Sequence, residues 1–404
     1  MFRYARFFIG PVFFTGVSLL MVLGHQWLWL PGFLLILAVV LFDQMLSHDS
    51  VDQPYDHHGI LDLALYLSLP AAMTFFFMLF WVAGSGAQDP FGFGAFVQSL
   101  TGVDVIAARN DTAWYHYALM FVILALPATG IGGLAGHELT HRTADPFALW
   151  LGRITMALNW GIAFPIEHVY GHHAYVGTTK DPATAARGDS LYRHIPKAMQ
   201  RTVVNAWEIE KARLDKIGKS FLSPSNVLVR MALVAAATSA FAFWCAGWTG
   251  LLFHGIVCFS TKVVLEALNY VEHYGIVRVP GLPVQPRHSW NCNHVVSSVF
   301  TYNLTRHSHH HADAQMHFQG LHAHAEQPSM PGGFLAAILS SFIPPLWRRM
   351  ITPKLLEWDR TQADRGEYPL IRAANQASGW PALNESVANT AAPAQAIPQG
   401  GLGY

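Results

Sequence analysis

The chain has 404 residues, of which 52% are hydrophobic and 13% aromatic but only 12% charged, whereas a soluble domain carries about 25% charged residues. Lys plus Arg and Asp plus Glu both number 25, so the net charge is zero, which argues against a nucleic-acid-binding protein. The cysteines (Cys245, Cys258 and Cys292) lie too far apart for a CxxC motif, which excludes iron–sulfur, rubredoxin-type and zinc-ribbon sites within this chain. Histidine is unusually frequent, with 22 residues. An apolar chain with this much imidazole indicates a membrane protein that carries a metal site.

Six apolar runs follow one another along the chain, and each approaches the about 20 residues that a helix needs to cross a bilayer. The first run is not a signal peptide, because it lacks an A-x-A-like cleavage site and a second run follows almost at once. Short joints at Gly24–Gln26 and Gly247–Trp248 predict two helical hairpins, one from runs one and two and one from runs five and six. The predicted fold class is therefore all-α, a six-helix transmembrane bundle with a helical cap. The predicted spans are about 7–24, 27–42, 60–83, 114–136, 228–247 and 248–268.

Basic residues are distributed unevenly among the connections. Six crossings place both termini on one side, and 23 of the 25 Lys and Arg residues fall on that side. By the positive-inside rule this side is the cytoplasm, which predicts a multi-pass protein of a bacterial-type inner membrane. The two exceptions are Arg109, in the loop 84–113, and Lys262, within the sixth run. Lys262 and Glu266 lie one helical turn apart and are expected to form an ion pair.

The polar residues concentrate in two blocks, 137–227 and 270–380, which are predicted to build the cytoplasmic cap. Together with the spans they form a single membrane-embedded domain, residues 1–380. Residues 381–404 are rich in Ala, Pro, Gly and Asn and almost uncharged, which predicts a flexible C-terminal tail. For the segment 333–350 two alternatives stay open, an amphipathic segment against the membrane face or a packed helix of the cap.

Four histidine clusters lie at or just beyond the predicted cytoplasmic ends of the spans. In chain order they are HELTH (137–141), EHVYGHH (167–173), NYVEHYG (269–275) and RHSHHH (306–311). Histidines at positions i and i+4 share one face of a helix, so both can reach one metal ion. The pairs predicted from this spacing are His137 with His141, His168 with His172, and His307 with His310 (i+3) and His311 (i+4).

Each cluster also has a simpler interpretation. A lone histidine such as His25, His116 or His254 is expected to be a packing residue, HExxH alone is a short motif, and a His run can be an unspecific surface site. Three boxes with helix-compatible spacing plus a further histidine, all on one side of the membrane, favour a genuine metal site. Nine imidazoles exceed one coordination sphere and suit two ions, although imidazole suits iron, copper and zinc alike. The nine are His137, His141, His168, His172, His173, His273, His307, His310 and His311.

The patterns HxxxH, HxxxHH and HxxHH resemble the histidine boxes of the integral-membrane desaturase and hydroxylase superfamily. Within it, NYVEHYG, SWNCNH (289–294) and RHSHHHA resemble the membrane alkane monooxygenases and the related xylene monooxygenase hydroxylase subunits. The resemblance extends from about Phe7 to Pro381. It implies a non-haem di-iron centre that uses O₂ to insert one oxygen atom into an unactivated terminal C–H bond. It also implies that the same nine histidines bind the two iron ions.

One position departs from the family pattern. The alkane enzymes have Asp at the third residue after the Arg of the last box, where this chain has His309. The change removes a carboxylate that could orient a ligand imidazole, so it leaves the nine ligands intact but weakens the assignment of a substrate. Three carboxylates near the boxes, Glu138, Glu167 and Glu272, are expected to hold imidazole tautomers or to relay protons, with direct ligation as the alternative.

Electrons are expected to come from a separate protein, because the chain contains no GxGxxG, no CxxC and no flavin or NAD signature. The resemblance implies a rubredoxin, or a ferredoxin-type carrier in the xylene branch, with its NAD(P)H-dependent reductase. Basic residues between Arg187 and Lys219 are expected either to dock this carrier or, as the simpler alternative, to meet lipid headgroups. The substrate is expected to be an apolar small molecule from the lipid phase, and no nucleic-acid partner is expected.

The first candidate reaction is oxidation of an n-alkane to a 1-alkanol. The alternative substrate is a methylarene such as xylene or cymene, and a fatty-acyl desaturase or hydroxylase would share the same boxes. An intramembrane zinc protease would use HELTH with Glu138 as the base, but it leaves seven box histidines unexplained. A transporter or a non-catalytic metal-binding protein would place polar pairs at mid-bilayer, whereas these histidines gather at one edge.

Overall fold

The computed structural model of the chain describes residues 2–46, 48–49, 51–324 and 326–390. Helices dominate these residues, and the extended pairings among them are two isolated bridges, His48–His294 and Asn291–Ser329. The predicted all-α class is therefore confirmed.

The first part of the chain consists mainly of apolar helices. A 3-10 turn at Arg6–Phe8 connects the first two α-helices, and another at Met21–Leu23 follows the second. A π-helical turn at Gly130–Leu134 connects the last two α-helices of this part. The α-helices are α1 (Phe2–Ala5), α2 (Ile9–Leu20), α3 (Leu30–Met45), α4 (His58–Tyr66), α5 (Ser68–Val82), α6 (Phe93–Thr101), α7 (Val105–Asn110), α8 (Trp114–Thr129) and α9 (Ala135–His141).

The second part alternates amphipathic helices with short ones, and it contains a single very long apolar element. A second π-helical turn, His168–His172, lies between two of the short helices. The α-helices are α10 (Pro146–Leu158), α11 (Phe164–Glu167), α12 (His173–Tyr175), α13 (Leu191–Lys216), α14 (Val227–His273), α15 (Val295–Phe300), α16 (His307–Ala312), α17 (Phe334–Ser341), α18 (Pro344–Thr361), α19 (Tyr368–Ser378) and α20 (Val387–Thr390).

Four continuous helices are long and apolar enough to cross a membrane: Arg3–Leu23, His58–Val82, Trp114–His141 and Val227–His273. The apolar helix α3 is shorter, with 16 residues, or about 24 Å at 1.5 Å per residue. These helices belong to a membrane protein, and all of them overlap runs that the sequence identified.

The 47-residue helix α14 contains two of the predicted runs. Its backbone leaves the helical conformation at Ala246 and at Gly247, which has φ 60°, and this bend divides it into arms 227–245 and 248–273. Across the bend, Ser239 Oγ lies 3.2 Å from His254 Nδ1, so the two arms run side by side. The hairpin predicted at Gly247–Trp248 is therefore confirmed.

Four apolar clusters hold the described helices together, and two of them are large. One fills the bundle, where α5 packs against α2 and α14. The other joins the end of α14 to α17 and α18, where buried Trp347 contacts Tyr270 and Tyr274 with ring centroids 5.7 Å apart. In the segment 333–350 one face is thus packed, as predicted for a helix of the cap, while Ile343 and Leu346 on its other face are exposed, as predicted for an amphipathic segment.

Some polar contacts differ from those predicted. Glu266 accepts a hydrogen bond from Asn269 Nδ2 at 3.2 Å, and in the described part of the chain no ion pair within 4 Å joins it to Lys262. The predicted close ion pair is therefore not formed, although the two charges still act on each other at longer range, and Lys262 lines a cavity. Arg187, the first residue of the basic segment, is also not a docking residue, because its buried guanidinium binds Asp359 at 2.6 Å and the Gly275 carbonyl oxygen at 2.8 Å.

The packed part of the chain continues past residue 380. Pro381–Glu385 form a 3-10 turn, Leu383 and Ala388 are fully buried, and Ser386 Oγ donates to Asp359 at 2.6 Å. The remainder of the predicted tail, 391–404, lies outside the described residues.

Candidate metal centre

The first histidine box lies where a spanning helix changes its winding. The π-helical turn Gly130–Leu134 connects α8 to α9, and α9 carries His137 and His141. A π turn contains one more residue than an α turn, so it changes the face that the following residues present. Both imidazoles are buried, and their ring centroids lie 4.9 Å apart.

The second box adopts a π turn itself, which changes the predicted pairing. Because His168–His172 is π-helical, residues i and i+5 come onto one face. His168 Nε2 therefore lies 3.1 Å from His173 Nε2, whereas His172 Nε2 lies 3.2 Å from His311 Nε2. The predicted pairing of His168 with His172 is wrong, since the two residues belong to different groups.

The remaining candidate ligands come from the end of α14 and from α16. His273 Nε2 lies 3.0 Å from both His307 Nε2 and His311 Nε2. His307 and His311 are also 3.0 Å apart, so the predicted i, i+4 pair is confirmed. His310 points to the other group, where its ring lies 4.8 Å from that of His137. Its predicted pairing with His307 is therefore not formed.

All nine predicted histidines thus come together in two groups, and within each group the candidate ligand atoms lie within 4.8 Å of one another. The groups touch, because the rings of His173 and His311 stack with centroids 4.4 Å apart. The first group is His137, His141, His168, His173 and His310, and the second is His172, His273, His307 and His311.

Hydrogen bonding alone does not explain this convergence. His311 Nε2 has three imidazole nitrogens within 3.0–3.2 Å, yet a neutral imidazole nitrogen offers one proton or one lone pair. Imidazole nitrogens that bind a transition metal at about 2.0–2.1 Å are separated from each other by about 3 Å. The observed spacing therefore fits nitrogens arranged around a shared cation.

Burial and protonation support the same arrangement. Both ring nitrogens of His310 are buried and lack a hydrogen-bond partner in the described chain, which is costly unless a metal binds one of them. Burial, followed by the charge of neighbouring imidazoles, lowers the pKa of His168, His173 and His310 well below the usual 6.5. These rings are therefore neutral, which is the form that binds metal ions.

Asp181 is a functional residue that the sequence analysis missed. Its carboxylate lies 2.9 Å from His172 Nδ1, it is fully buried, and it is fixed by the Thr184 hydroxyl at 2.6 Å. Burial opposes the charged forms of both residues, but their mutual attraction outweighs it, so that the pKa of His172 is raised and that of Asp181 is lowered. The contact orients Nε2 of His172 toward the second group. Asp181 follows His172 by nine residues in a loop, and no periodic pattern marks it.

The three predicted carboxylates occupy different positions. Glu272 approaches the second group, with Oε2 3.5 Å from His307 Nε2 and Oε1 buried without a partner. Glu167 accepts from Asn205 Nδ2 at 3.3 Å, and burial, followed by the charge of Asp181, raises its pKa to about 7. Glu138 turns away to Arg142 Nη2 at 3.4 Å and to the Phe318 backbone N–H at 3.2 Å.

Other histidines lie outside the two groups. His309 is half-buried, and its Nδ1 accepts from the His322 backbone N–H at 2.7 Å. Of the lone histidines, His254 is 3.0 Å from the Leu158 carbonyl oxygen and His116 accepts from Trp29 Nε1 at 3.1 Å. His25 packs its ring against His116. These contacts agree with the packing roles expected for the lone residues.

A model of the fatty acid desaturase family matches residues 112–336, a range that contains all nine histidines. The chain is 34% identical over 245 residues to alkane 1-monooxygenase 2 of Alcanivorax borkumensis, an alignment that covers 58% of this chain and 64% of that relative. It is 33% identical over 256 residues to alkane 1-monooxygenase 1 of Pseudomonas aeruginosa, with coverages of 62% and 67%.

A third relative aligns over a longer part of the chain but with lower sequence identity. The chain is 29% identical over 387 residues to the xylene/toluene monooxygenase hydroxylase component of Pseudomonas putida, covering 94% of this chain and 97% of that protein. The chain thus spans about two thirds of the length of the alkane enzymes it matches and nearly all of the xylene/toluene component.

Proposed function

Since the chain belongs to the fatty acid desaturase family, we propose that it is a membrane-bound non-haem di-iron monooxygenase that hydroxylates the terminal methyl group of an apolar substrate. An n-alkane, converted to a 1-alkanol, is the first candidate. The observation that carries this proposal is the convergence of nine buried imidazoles into two touching groups. Similarity to two alkane 1-monooxygenases supports the reaction.

The proposed metal ligands are the five histidines of the first group and the four of the second. Imidazole alone does not choose among iron, copper and zinc, and we assign iron from the oxidative activity that the relatives' names describe. Two bound iron ions would supply O₂ activation and oxidation of an unactivated C–H bond, which no amino-acid side chain performs.

The chain's own carboxylates would orient ligands and move protons. Asp181 holds the Nδ1 side of His172 so that Nε2 faces the second group. With a pKa of about 7, Glu167 is close to half-protonated at neutral pH and can donate or accept a proton at the edge of the site. Glu272 Oε2 lies 3.5 Å from His307 Nε2, a nitrogen that faces the second group, so Glu272 is our candidate for a fifth ligand of this group.

An apolar cavity offers the substrate a path from the lipid. Its wall is almost wholly apolar and comes from α2, α3, α8, α14, α15 and α17. Leu134 and Leu268 line it, and these residues precede His137 by three positions and Glu272 by four. A methyl group in this cavity would therefore lie within about one or two helical turns of the ligands.

We further propose that the chain crosses an inner membrane six times. The two arms of α14 count as two spans and the shorter helix α3 as one, which gives the predicted six-helix bundle. The histidines and both termini would then face the cytoplasm, where most of the basic residues lie. The helices that carry the site would form the cap of a single domain, with a C-terminal tail after it.

Electrons would come from a rubredoxin or a ferredoxin-type carrier with its NAD(P)H-dependent reductase. The chain offers no redox group besides the proposed metal centre, because its cysteines are isolated and buried. The carrier would dock on the cytoplasmic face.

The test is a reconstituted reaction with metal analysis. The purified chain is combined with rubredoxin, its reductase and NADH, and then given an equimolar mixture of n-octane and p-xylene. We include the methylarene because the match to the xylene/toluene component extends over 94% of this chain. We expect about two irons per chain and 1-octanol as the main product.

Substitutions of single histidines test whether both groups are needed for the activity. His310→Ala and His172→Ala remove one ligand from each group, so both should lower the iron content and abolish product formation. His309→Ala is the matched control, because it changes a histidine in the same box that belongs to neither group. Full activity of either ligand variant, or one zinc per chain with no oxygenated product, would refute the proposal.

The runner-up functions make different predictions. A desaturase would release an alkene rather than an alcohol. A zinc protease would need Glu138 free to act as a base, but its carboxylate is bound to Arg142 and to the Phe318 backbone.

A further inference from the structure

A second cavity lies between α13 and the two arms of α14, apart from the metal groups. It has a volume of about 360 Å³. Nine of its ten lining residues are apolar or aromatic, and the tenth is Lys262. A single cation in an apolar wall matches an amphiphile with an anionic head and a hydrocarbon tail.

The depth of Lys262 differs from what its position within an apolar run suggests. It lines the same cavity as Ala232 on the facing arm, so the two residues lie at a similar level. Ala232 lies five residues after Val227, where α14 begins, which is about 7.5 Å along the helix. Lys262 therefore lies near the level at which the first arm of α14 begins, rather than at the middle of the bundle.

Lys262 forms no ion pair within 4 Å among the described residues, and the charge of Glu266 acts on it only at longer range. Glu266, the nearest carboxylate on its helix, is bound to Asn269 and forms no ion pair with it. An unpaired charge in an apolar cavity is costly, and ionisable residues in membrane helices are usually paired. An anion from outside the chain would supply the missing partner.

The residues that line the cavity can also contact a hydrocarbon chain. Val203 and Trp207 are 60% and 49% exposed on one face of α13, and the Trp207 ring packs against Phe221 in a tilted arrangement with centroids 3.7 Å apart. Tryptophan is enriched where membrane proteins meet lipid headgroups. An acyl chain can lie along this surface while its head reaches Lys262.

We propose that this cavity is a specific binding site for one anionic phospholipid, with the phosphate at Lys262 and an acyl chain against α13. The site goes beyond the proposed catalytic function and depends only on the chain being embedded in a membrane. A free fatty acid has a comparable charge, but a phospholipid is the amphiphile that the surrounding leaflet supplies. It also places its phosphate at the depth of Lys262.

Native mass spectrometry of the full chain in detergent tests the proposal. The protein is titrated with phosphatidylglycerol and, separately, with phosphatidylcholine of the same acyl chains. We expect one retained phosphatidylglycerol with about fivefold preference, the effect of one basic residue near a membrane surface. Lys262→Met should abolish the preference, and Lys262→Arg should keep it.

Control variants distinguish lipid binding in this cavity from a general attraction between basic residues and anionic lipids. Lys211→Met changes an exposed lysine on α13 that does not line the cavity, so it should leave the preference intact. Ala232→Phe fills the cavity while keeping Lys262, so it should reduce retention even if Lys262→Met fails to fold. Equal retention of both lipids, an equal loss in Lys211→Met, or displacement of the lipid by palmitate at equal concentration would overturn the proposal.

Discussion

At the residue scale, the neighbours of the ligating histidines decide which ring nitrogen is available. His172 and His273 both have Nδ1 engaged, the first by Asp181 at 2.9 Å and the second by the Asn269 carbonyl oxygen at 2.9 Å. A carbonyl accepts only, so Nδ1 of His273 carries the proton and Nε2 keeps its lone pair. This tautomer is the one that can bind a metal through Nε2.

We predict that Asp181→Asn weakens metal binding by the second group without unfolding the chain. The amide keeps the size of the side chain but loses the charge that stabilises the His172 orientation. Loss of such a partner typically costs about 10–100-fold in metal affinity or activity. Iron retention is measured against increasing chelator, together with the thermal midpoint.

The control for this variant lies on the same loop. Asp189 forms ion pairs with Arg193 and Lys197 at 3.4 Å, away from the histidines, so Asp189→Asn should retain iron like the wild type. If both variants lose iron equally, the effect would come from the loop and not from the His172 contact.

The sequence identified the nine candidate ligands but not the residue that orients His172. Nine histidines stand out because their spacing within boxes is short and repeated. Asp181 does not, because its position depends on how the loop folds back, and Arg187 fixes that fold through Asp359 and Gly275. Long-range contacts of this kind leave no local pattern.

At the element scale, two π turns determine which histidine joins which group. The α-helical rule of i and i+4 holds for the pairs on α9 and α16, where the helices are regular. It fails for His168 and His172, since the turn between them is π-helical. A π turn depends on packing around it, so the spacing of residues alone could not predict it.

We predict that the first π turn tolerates alanine at one glycine and not at its neighbour. A Cβ on Gly132 would lie 2.5 Å from Asn159 Nδ2, whereas one on Gly133 would meet Thr129 Cγ2 at an ordinary 3.4 Å. Gly132→Ala should therefore displace the buried Asn159 side chain, destabilise the protein by about 1 kcal/mol through overpacking, and lower its iron content. Gly133→Ala is the matched control.

The comparison uses thermal unfolding in detergent and iron per chain. Both substitutions gain the same helix propensity, so their difference isolates the contact with Asn159. If Gly133→Ala destabilises the protein as much as Gly132→Ala does, the backbone of the π turn would exclude a larger side chain. The contact with Asn159, at the end of α10, would then not be the cause.

At the scale of the whole molecule, burial of many imidazoles makes stability depend on pH. Burial lowers the pKa of five histidines outside the spanning helices well below 6.5. In the unfolded chain these groups would take up protons as the pH falls through 6.5, so the unfolded state binds more protons and gains stability. His172 and Glu167 have raised pKa values and act in the opposite direction, but they are two groups against five. The five are His168, His173, His307, His310 and His311.

We predict that the metal-free protein loses thermal stability between pH 7.5 and pH 5.5. Fluorescence-monitored unfolding in detergent with a chelator gives the midpoint at each pH. Metal-loaded protein should lose less until acid displaces the metal. If the thermal midpoint of the metal-free protein stays level or rises toward pH 5.5, this result would contradict the assignment of neutral buried imidazoles.

The proposed orientation of the chain is based on the distribution of its charges, and the structure describes the contacts of the two exceptions. Arg109, the exception in the loop 84–113, is buried and donates to the carbonyl oxygens of Trp81, Gly86 and Gln88 at 2.8–3.1 Å. It therefore acts as a structural cation within that loop. Lys262, the other exception, lies at the level of Ala232 near the basic end of the bundle. Neither exception thus places an accessible positive charge on the proposed non-cytoplasmic side. The accessible basic residues are therefore distributed more unevenly than the count of 23 out of 25 indicated.

We predict that Ala87→Cys reacts with a membrane-impermeant maleimide in intact cells, whereas Ala212→Cys reacts only after the inner membrane is permeabilised. Both positions are exposed, one in the loop that carries Arg109 and the other on α13 on the basic side. The three native cysteines are buried, so the background should be low. The reverse labelling pattern would place the histidines outside the cytoplasm and remove the proposed access of a cytoplasmic electron carrier, because the carrier and the metal groups would then lie on opposite sides of the membrane.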